Sequence, residues 1–416
     1  MENCYKREKT SRLFTAAIIL IPVLRLYRSG IPGIDLAEAL LLVAFAVGVF
    51  LRGSLSLSSA GRKILFLVPV FLFITIFDVF IYEHSILDIL VLFIRWTFYL
   101  VVLVFGCSFF DFSFAKRFLM IVSVIVCFGL ILQMISYYGF SKIVPLRIPF
   151  LSVNDSMSEA GTFVTLTYDF RTFRASSFFS EPAHFAYFVC ISLMVSLMFG
   201  KHKYLLSSFF TLCILLSTSA GGIIMAAIIW MYYLFIKEKR QRTRKFVIVL
   251  SLVVAIAILS LTTPLFNYFN SKILLLFESG GSSSSRTNFI EQLAGFSFAN
   301  LITGIGFGNA EYYITSVLNK DYTYVSSISL ILMWTGLLGF LYLTNVFWSL
   351  FKKSNADNRI FVVIFVVSLF GTGMITSSYL ILFLIWPLSS LTREKATSHC
   401  QTLVNSSEKG ALLNYV

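Results

Sequence analysis

The chain is short of charge. Of 416 residues only 13% are charged, against 58% hydrophobic, and the mean hydropathy is +0.86. Soluble domains carry roughly 25% charged residues, so a soluble fold is excluded and an integral membrane protein is indicated. Cysteine is scarce where it would staple loops. Of the six, Cys107, Cys127, Cys190 and Cys213 fall inside apolar runs, and Cys4 and Cys400 lie near the termini. No disulfide is therefore expected in an external loop. Neither a CxxC pair nor a His/Cys cluster is present, so no metal site is expected. No small-residue cleavage site follows the first apolar run, which argues against a removable signal peptide. No clear internal repeat is found, in contrast to many transporters. Basic residues outnumber acidic ones, 33 to 20 for a net +13. Their uneven placement gives no reason to expect a nucleic acid partner.

The apolar residues fall into runs of about 15–25, the length that crosses a bilayer as a helix. The reading gives an all-α polytopic protein of about twelve spans: 13–28, 34–51, 64–82, 86–107, 118–138, 183–200, 204–218, 221–236, 246–262, 325–351, 360–376 and 378–391. Alternate connections are basic. Lys6, Arg7, Lys9 and Arg12 precede the first run; Arg52, Arg62 and Lys63 follow the second; Lys116 and Arg117 follow the fourth. Lys201 and Lys203, then Lys237 through Lys245, then Lys352, Lys353 and Arg359 continue the alternation. The positive-inside bias then predicts both termini, including a tail over 392–416, in the cytoplasm. The basic cluster at 237–245 is also expected to meet anionic membrane lipid. The whole chain, 1–416, reads as a single membrane domain with two long external loops, 139–182 and 263–324. Long loops held by a rigid scaffold commonly carry function.

The first loop ends in RASSFFSEPAHF, Arg174–Phe185. A guanidinium, the Glu181 carboxylate and the His184 imidazole lie close together there, with Arg171 just upstream. Arginines can hold an anionic headgroup, and Glu181 or His184 can move a proton. Upstream, GTFVTLTYDFRTF is rich in Thr, Val and aromatics, which favours extended chain. Ser180 is expected to cap the following helix, with Pro182 in its first turn. Glu181 and the arginines would also be accounted for if they merely paired and capped that helix.

The second loop carries Arg286 before a cap at Asn288, then GIGFG with Gly304, Gly306 and Gly308. Glycines so spaced allow backbone amides to approach a phosphate or a sugar, or simply turn the chain back to the membrane. Within the membrane, Arg95 is deep enough to need a cavity or a partner, with Asp78 the candidate. It could serve a ligand or hold two helices together. Arg25, Arg28, Asp35 and Glu38 lie nearer the outer surface and read as snorkelling side chains. The STSAGG junction, Ser217–Gly222, reads as close packing of two spans.

Together these features resemble the bacterial O-antigen polymerases, the Wzy family, which are related to the O-antigen ligases. RASSFFSEPAHFA at 174–186 is close to that family's R-x-x-x-F-F-x-E-P-x-x-x-A pattern. LSTSAGG at 216–222, and Arg286 followed by GIGFG, add to the likeness. A further family pattern, Arg followed by ten residues and Gly, is absent from both loops. The resemblance implies a glycosyltransferase of the bacterial inner membrane acting in O-antigen (lipopolysaccharide) biosynthesis, with both long loops in the periplasm. It would join oligosaccharide repeats carried on undecaprenyl diphosphate, one serving as donor and one as acceptor. No cofactor is implied, and a chain-length regulator protein is admitted as a further partner. Glu181 and His184 are then the candidate catalytic residues. Arg171, Arg174, Arg286, Arg95 and the three glycines are the candidates for diphosphate or glycan binding. An O-antigen ligase, or a flippase for lipid-linked oligosaccharide, would fit the same layout.

Overall fold

Helices account for most of the chain in the computed structural model. It describes residues 2–31, 33–52, 57–82, 86–154, 164–167, 170–200, 203–237, 293, 295–319, 326–371, 374 and 377–392. The order is α1 (Glu2–Leu24), α2 (Leu36–Arg52), α3 (Ser59–Leu65), α4 (Leu67–Tyr82), α5 (Ile86–Gly106) and α6 (Phe112–Phe140). Two short strands follow, β1 (Val164–Thr167) and β2 (Phe170–Phe173), and then α7 (Pro182–Phe199), α8 (Lys203–Leu216) and α9 (Ala220–Tyr232). The last elements are α10 (Phe298–Thr303), α11 (Ala310–Tyr312), α12 (Ser327–Lys353), α13 (Ala356–Ser368) and α14 (Tyr379–Thr392).

Among the described residues, six helices are long and apolar enough to cross a membrane, and α2, α8 and α14 are shorter apolar helices. The protein is an all-α, multi-pass membrane protein. A helix stands at every expected span except 246–262, which lies outside the described residues, as do Arg286 and the 237–245 cluster beyond Lys237. The extended segment expected in the first loop is an antiparallel hairpin, with Val164 opposite Phe173 and Leu166 opposite Arg171.

The helices begin where a side chain can satisfy the free amides of the first turn. Asp111 accepts from the amides of Ser113 and Phe114, both at 3.0 Å. Asn355 accepts from Asn358 at 3.0 Å, and Ser58 from Gly61 at 2.9 Å. At α2 the capping is reciprocal. The Glu38 amide donates to Asp35 Oδ1 at 2.7 Å, and the Asp35 amide donates to Glu38 Oε2 at 3.2 Å. These two acids are thus fixed by the helix start and are not loose at a surface.

Packing runs the helices alternately up and down. Phe14 of α1, Phe45 of α2 and Phe109 after α5 cluster together, and Phe112 of α6 meets Phe199 of α7 and Trp386 of α14. Tyr232 at the end of α9 donates to the Ala356 carbonyl at the start of α13, and Lys353 at the end of α12 reaches Ser59 of α3. These contacts gather the basic connections at one end of the bundle. The ends of α1, α6 and α8 and the starts of α2, α7, α9 and α14 form the other.

Helix α12 is broken at Gly336, whose φ of 58° and ψ of −168° leave the helical region. The break frees carbonyls, and the GIGFG segment uses them. Ile305 donates to Met333 O at 2.9 Å and Gly306 to Trp334 O at 3.1 Å. Side chains at Gly304 or Gly336 would strike this facing backbone, and both residues have positive φ. Non-helical chain inside a membrane protein is tolerated where protein satisfies its polar groups, as here. Phe307 then plugs the bundle against Trp334 (ring centroids 4.5 Å apart), Trp96 (5.2 Å) and Phe71 (5.9 Å).

Candidate active site at one end of the bundle

The segment between β2 and α7 is held in place by one amide in a nearly apolar helix. Gln133 of α6 is fully buried. Its Oε1 accepts from the amides of Ser176 (3.2 Å) and Ser177 (2.8 Å), while Nε2 donates to Val144 O at 3.1 Å and Ser177 O at 3.5 Å. The Ser177 hydroxyl donates to Val126 O at 2.7 Å, and Phe173 stacks on Tyr137 at 4.7 Å. A buried polar group must be satisfied, so the apolar surroundings of Gln133 enforce this geometry. Arg174 through Glu181 thereby becomes a fixed rim.

Arg174 leaves that rim toward the STSAGG turn. Its Nε donates to Thr218 Oγ1 at 3.2 Å and its Nη2 to Thr218 O at 3.3 Å. Thr218 has φ of 54°, and Ser219 next to it caps α9. Two sequence motifs, 174–186 and 216–222, therefore meet through one guanidinium. The small residues of the junction were expected to pack α8 against α9, and the nearer neighbour is α7. Gly222 packs directly on Ala186, and the Cys190 thiol points at Gly222 O at 3.6 Å.

The cap of α7 is Glu181, and not Ser180 as the sequence suggested. Glu181 is extended (φ −141°, ψ 153°), Pro182 occupies the first turn, and the Glu181 side chain makes no capping bond. Proline supplies no amide, so that turn asks less of a cap. Glu181 is exposed. His184 is half-buried, its ring edge-on to Tyr379 with centroids 5.5 Å apart, and the Tyr379 hydroxyl donates to His184 O at 2.9 Å. Glu181 and His184 share the first turn of α7, yet among the described residues no hydrogen bond joins their side chains.

Arg95 is paired with Glu38. Its Nε lies 2.8 Å from Glu38 Oε1, its Nη2 donates to Gly33 O, and the Tyr99 hydroxyl donates to the same Glu38 carboxylate. The Asp78 side chain proposed as its partner lies outside the described residues. So does the Arg171 side chain, though its backbone sits in β2. In the glycine segment the amides of Gly304, Ile305, Gly306 and Phe307 donate to Asn300 O, Met333 O, Trp334 O and Thr75 Oγ1. Of the two uses foreseen for Gly304, Gly306 and Gly308, the turn against the bundle matches this bonding, which leaves the first two glycines without a free amide for a phosphate.

Sequence reasoning passed over Gln133 and Tyr379, and gave Arg25 and Thr218 no part in the site. Gln133 had a signal, being an uncharged but strongly polar side chain in an otherwise apolar span. Arg25 was read as a snorkelling residue. The structure places it on a connection whose next residues, Leu26 and Tyr27, are bonded to Asn154 and Leu36. Among the described residues, no group of three or more His, Cys, Asp or Glu is arranged to hold a metal ion.

Fold and site together define a multi-pass membrane protein with arginine, carboxylate and imidazole gathered at one end of its bundle. Residues 205–344 match a family model described as O-antigen ligase. The match runs from α8 through most of α12, about a third of the chain. It includes the STSAGG turn, Arg286 and the glycine segment, and it stops short of the Arg174–Ala186 motif. The chain is thus similar to the O-antigen ligase and polymerase group over that region. No curated protein matches the chain.

Proposed function

We propose that the protein polymerises oligosaccharide repeats carried on undecaprenyl diphosphate, at the periplasmic face of a bacterial inner membrane. The observation that carries this reading is the joining of Arg174 to the 216–222 turn beside the free carboxylate of Glu181 and the imidazole of His184. A hydroxyl of the acceptor sugar attacks the anomeric carbon of the donor glycan. The new carbon–oxygen bond forms as the bond from that carbon to the diphosphate oxygen breaks, and undecaprenyl diphosphate leaves. The hydroxyl proton passes to Glu181 or His184. Glu181 is the better placed to meet a substrate, because it is exposed and engaged by no neighbour among the described residues. Arginine at the site stabilises the charge that develops on the departing diphosphate. Arg174 is assigned that role, with Arg171 and Arg286 as loop arginines of the same reading. Arg95 serves the site indirectly, by holding Glu38 and the α1–α2 connection.

The family description of the matched region favours a second reading, transfer of finished glycan to a lipid A core. The two differ in acceptor. Purified protein given lipid-linked repeat alone is expected to yield a ladder of longer lipid-linked products. No ladder, with transfer only when lipid A core is added, would replace polymerase by ligase.

A further inference from the structure

Arg25 stands one residue beyond α1, on backbone that is fixed and not fraying. Its own amide continues the helix to Ile21 O at 3.0 Å. Next to it Leu26 and Tyr27 are buried. Asn154 donates to Leu26 O at 3.0 Å, Leu36 donates to Tyr27 O at 2.9 Å, and the Tyr27 hydroxyl accepts from the Ile148 amide at 2.7 Å. A snorkelling arginine rides on a side chain free to follow the interface. This one is carried by a connection tied to both α2 and the 146–154 segment. Arg25 as a residue is half-buried, and among the described residues its guanidinium makes no hydrogen bond and no ion pair within 4 Å. That singles it out from Arg95, already paired with Glu38.

Its place in the bundle supplies the second observation. The 146–154 segment that ties down this connection follows Val144, whose carbonyl is held by the same Gln133 side chain that holds Ser176 and Ser177 before α7. Arg25 therefore stands at the same end of the bundle as the start of α7 and the proposed reaction. We propose that Arg25 is an anion anchor that receives the diphosphate of a polyprenyl-linked substrate, bringing it to Glu181 and His184 from the α1 side opposite the loop arginines. This assignment rests on the reading that the substrate is a lipid diphosphate. It adds a binding group from the helical scaffold, which holds position better than one on a loop.

The test uses the full-length purified protein and farnesyl diphosphate as a soluble polyprenyl diphosphate. Arg25→Gln should weaken its binding about tenfold or more, the scale of a charge-assisted contact. Arg25→Lys should recover part of the loss, because lysine keeps the charge without the planar fork. Lys63→Gln, at the opposite end, should bind as the wild type does. A readout without any variant guards against misfolding: farnesyl diphosphate should slow phenylglyoxal modification of Arg25, followed by mass spectrometry, and phosphatidylglycerol at equal concentration should not. Equal protection by phosphatidylglycerol would make Arg25 a bulk-lipid contact and overturn the proposal. Wild-type affinity in Arg25→Gln would overturn it while leaving the carrier reading intact. A wild-type protein that fails to bind farnesyl diphosphate would sink both.

Discussion

The two ends of the bundle spend their cations differently. At the basic end nearly every described lysine or arginine is engaged. Lys237 pairs with Asp357, Lys353 reaches Ser59 at 3.0 Å, and Lys63 reaches Ser349 at 3.5 Å. Arg359 donates to Ser354 O and lies over Phe351, while Lys352, Lys203 and Lys116 sit over aromatic rings. At the motif end Arg95 is paired with Glu38, but the Arg25 guanidinium has no ion pair within 4 Å, Arg174 holds only a threonine, and the Glu181 side chain has no hydrogen bond among the described residues. Positive charge needed for topology can be absorbed into packing without loss. Charge needed for an anionic substrate has to stay available. The difference supports the motif end as the proposed place for chemistry better than the number of cations does, since the basic end holds more of them.

The sharpest way to break this contrast is to remove the proton acceptor. Glu181→Gln at matched folded protein should slow in vitro polymerisation by roughly a hundredfold or more, the usual scale for a general base. His184→Ala should cost less, because its ring is committed to Tyr379 and its carbonyl to the Tyr379 hydroxyl. A dead His184→Ala beside a near wild-type Glu181→Gln would transfer the base to His184. Normal rates in both would make the motif a structural rim.

Arg174 comes next. Arg174→Ala should reduce chain elongation by about ten- to a hundredfold, reflecting a lost charge-assisted contact. Arg174→Lys should recover part of it, since two donors to Thr218 are replaced by a single point charge. An elongation ladder of normal length from Arg174→Ala would leave the guanidinium with only its structural bond to the 216–222 turn.

Gln133→Leu attacks the support of the motif end without touching the proposed chemistry. It orphans the buried amides of Ser176 and Ser177, and an unsatisfied buried group costs about 1–3 kcal/mol. The expected result is a lower melting temperature in detergent and an activity loss smaller than that of Arg174→Ala. The same residue marks how far the sequence could be read. Hydropathy and charge alternation located the helices, because a bilayer leaves the backbone few alternatives. The Arg174–Ala186 motif located the rim, because Pro182 and its flanking polar residues mark a helix start. What stayed hidden depended on contacts between distant segments. Nothing local ties Gln133 to Ser177, Arg174 to Thr218 or Arg95 to Glu38. The glycine segment stayed open between two uses for a related reason. Positive φ at Gly304 and Gly306 suits a phosphate cradle and a backbone plug equally, and only the break at Gly336 decides which amides are taken.

The smallest effects are expected at the basic end, and their smallness is what the comparison requires. Lys353→Gln keeps a polar group near Ser59, and Lys63→Gln does the same near Ser349. Lys237→Gln breaks the pair with Asp357, both side chains of which are partly exposed at 37% and 29%. Exposed pairs contribute about 0–1 kcal/mol, so each variant should shift the melting temperature only slightly. Polymerisation rates should stay within about twofold of wild type, because none of these cations faces the proposed substrate. Any membrane effect should show as altered topology, since loop lysines bias orientation, and cysteine labelling with an impermeant thiol reagent would read that separately from catalysis. A tenfold rate loss in Lys353→Gln with unchanged topology and stability would mean that the basic end also handles substrate. The division of labour between the two ends would then be wrong.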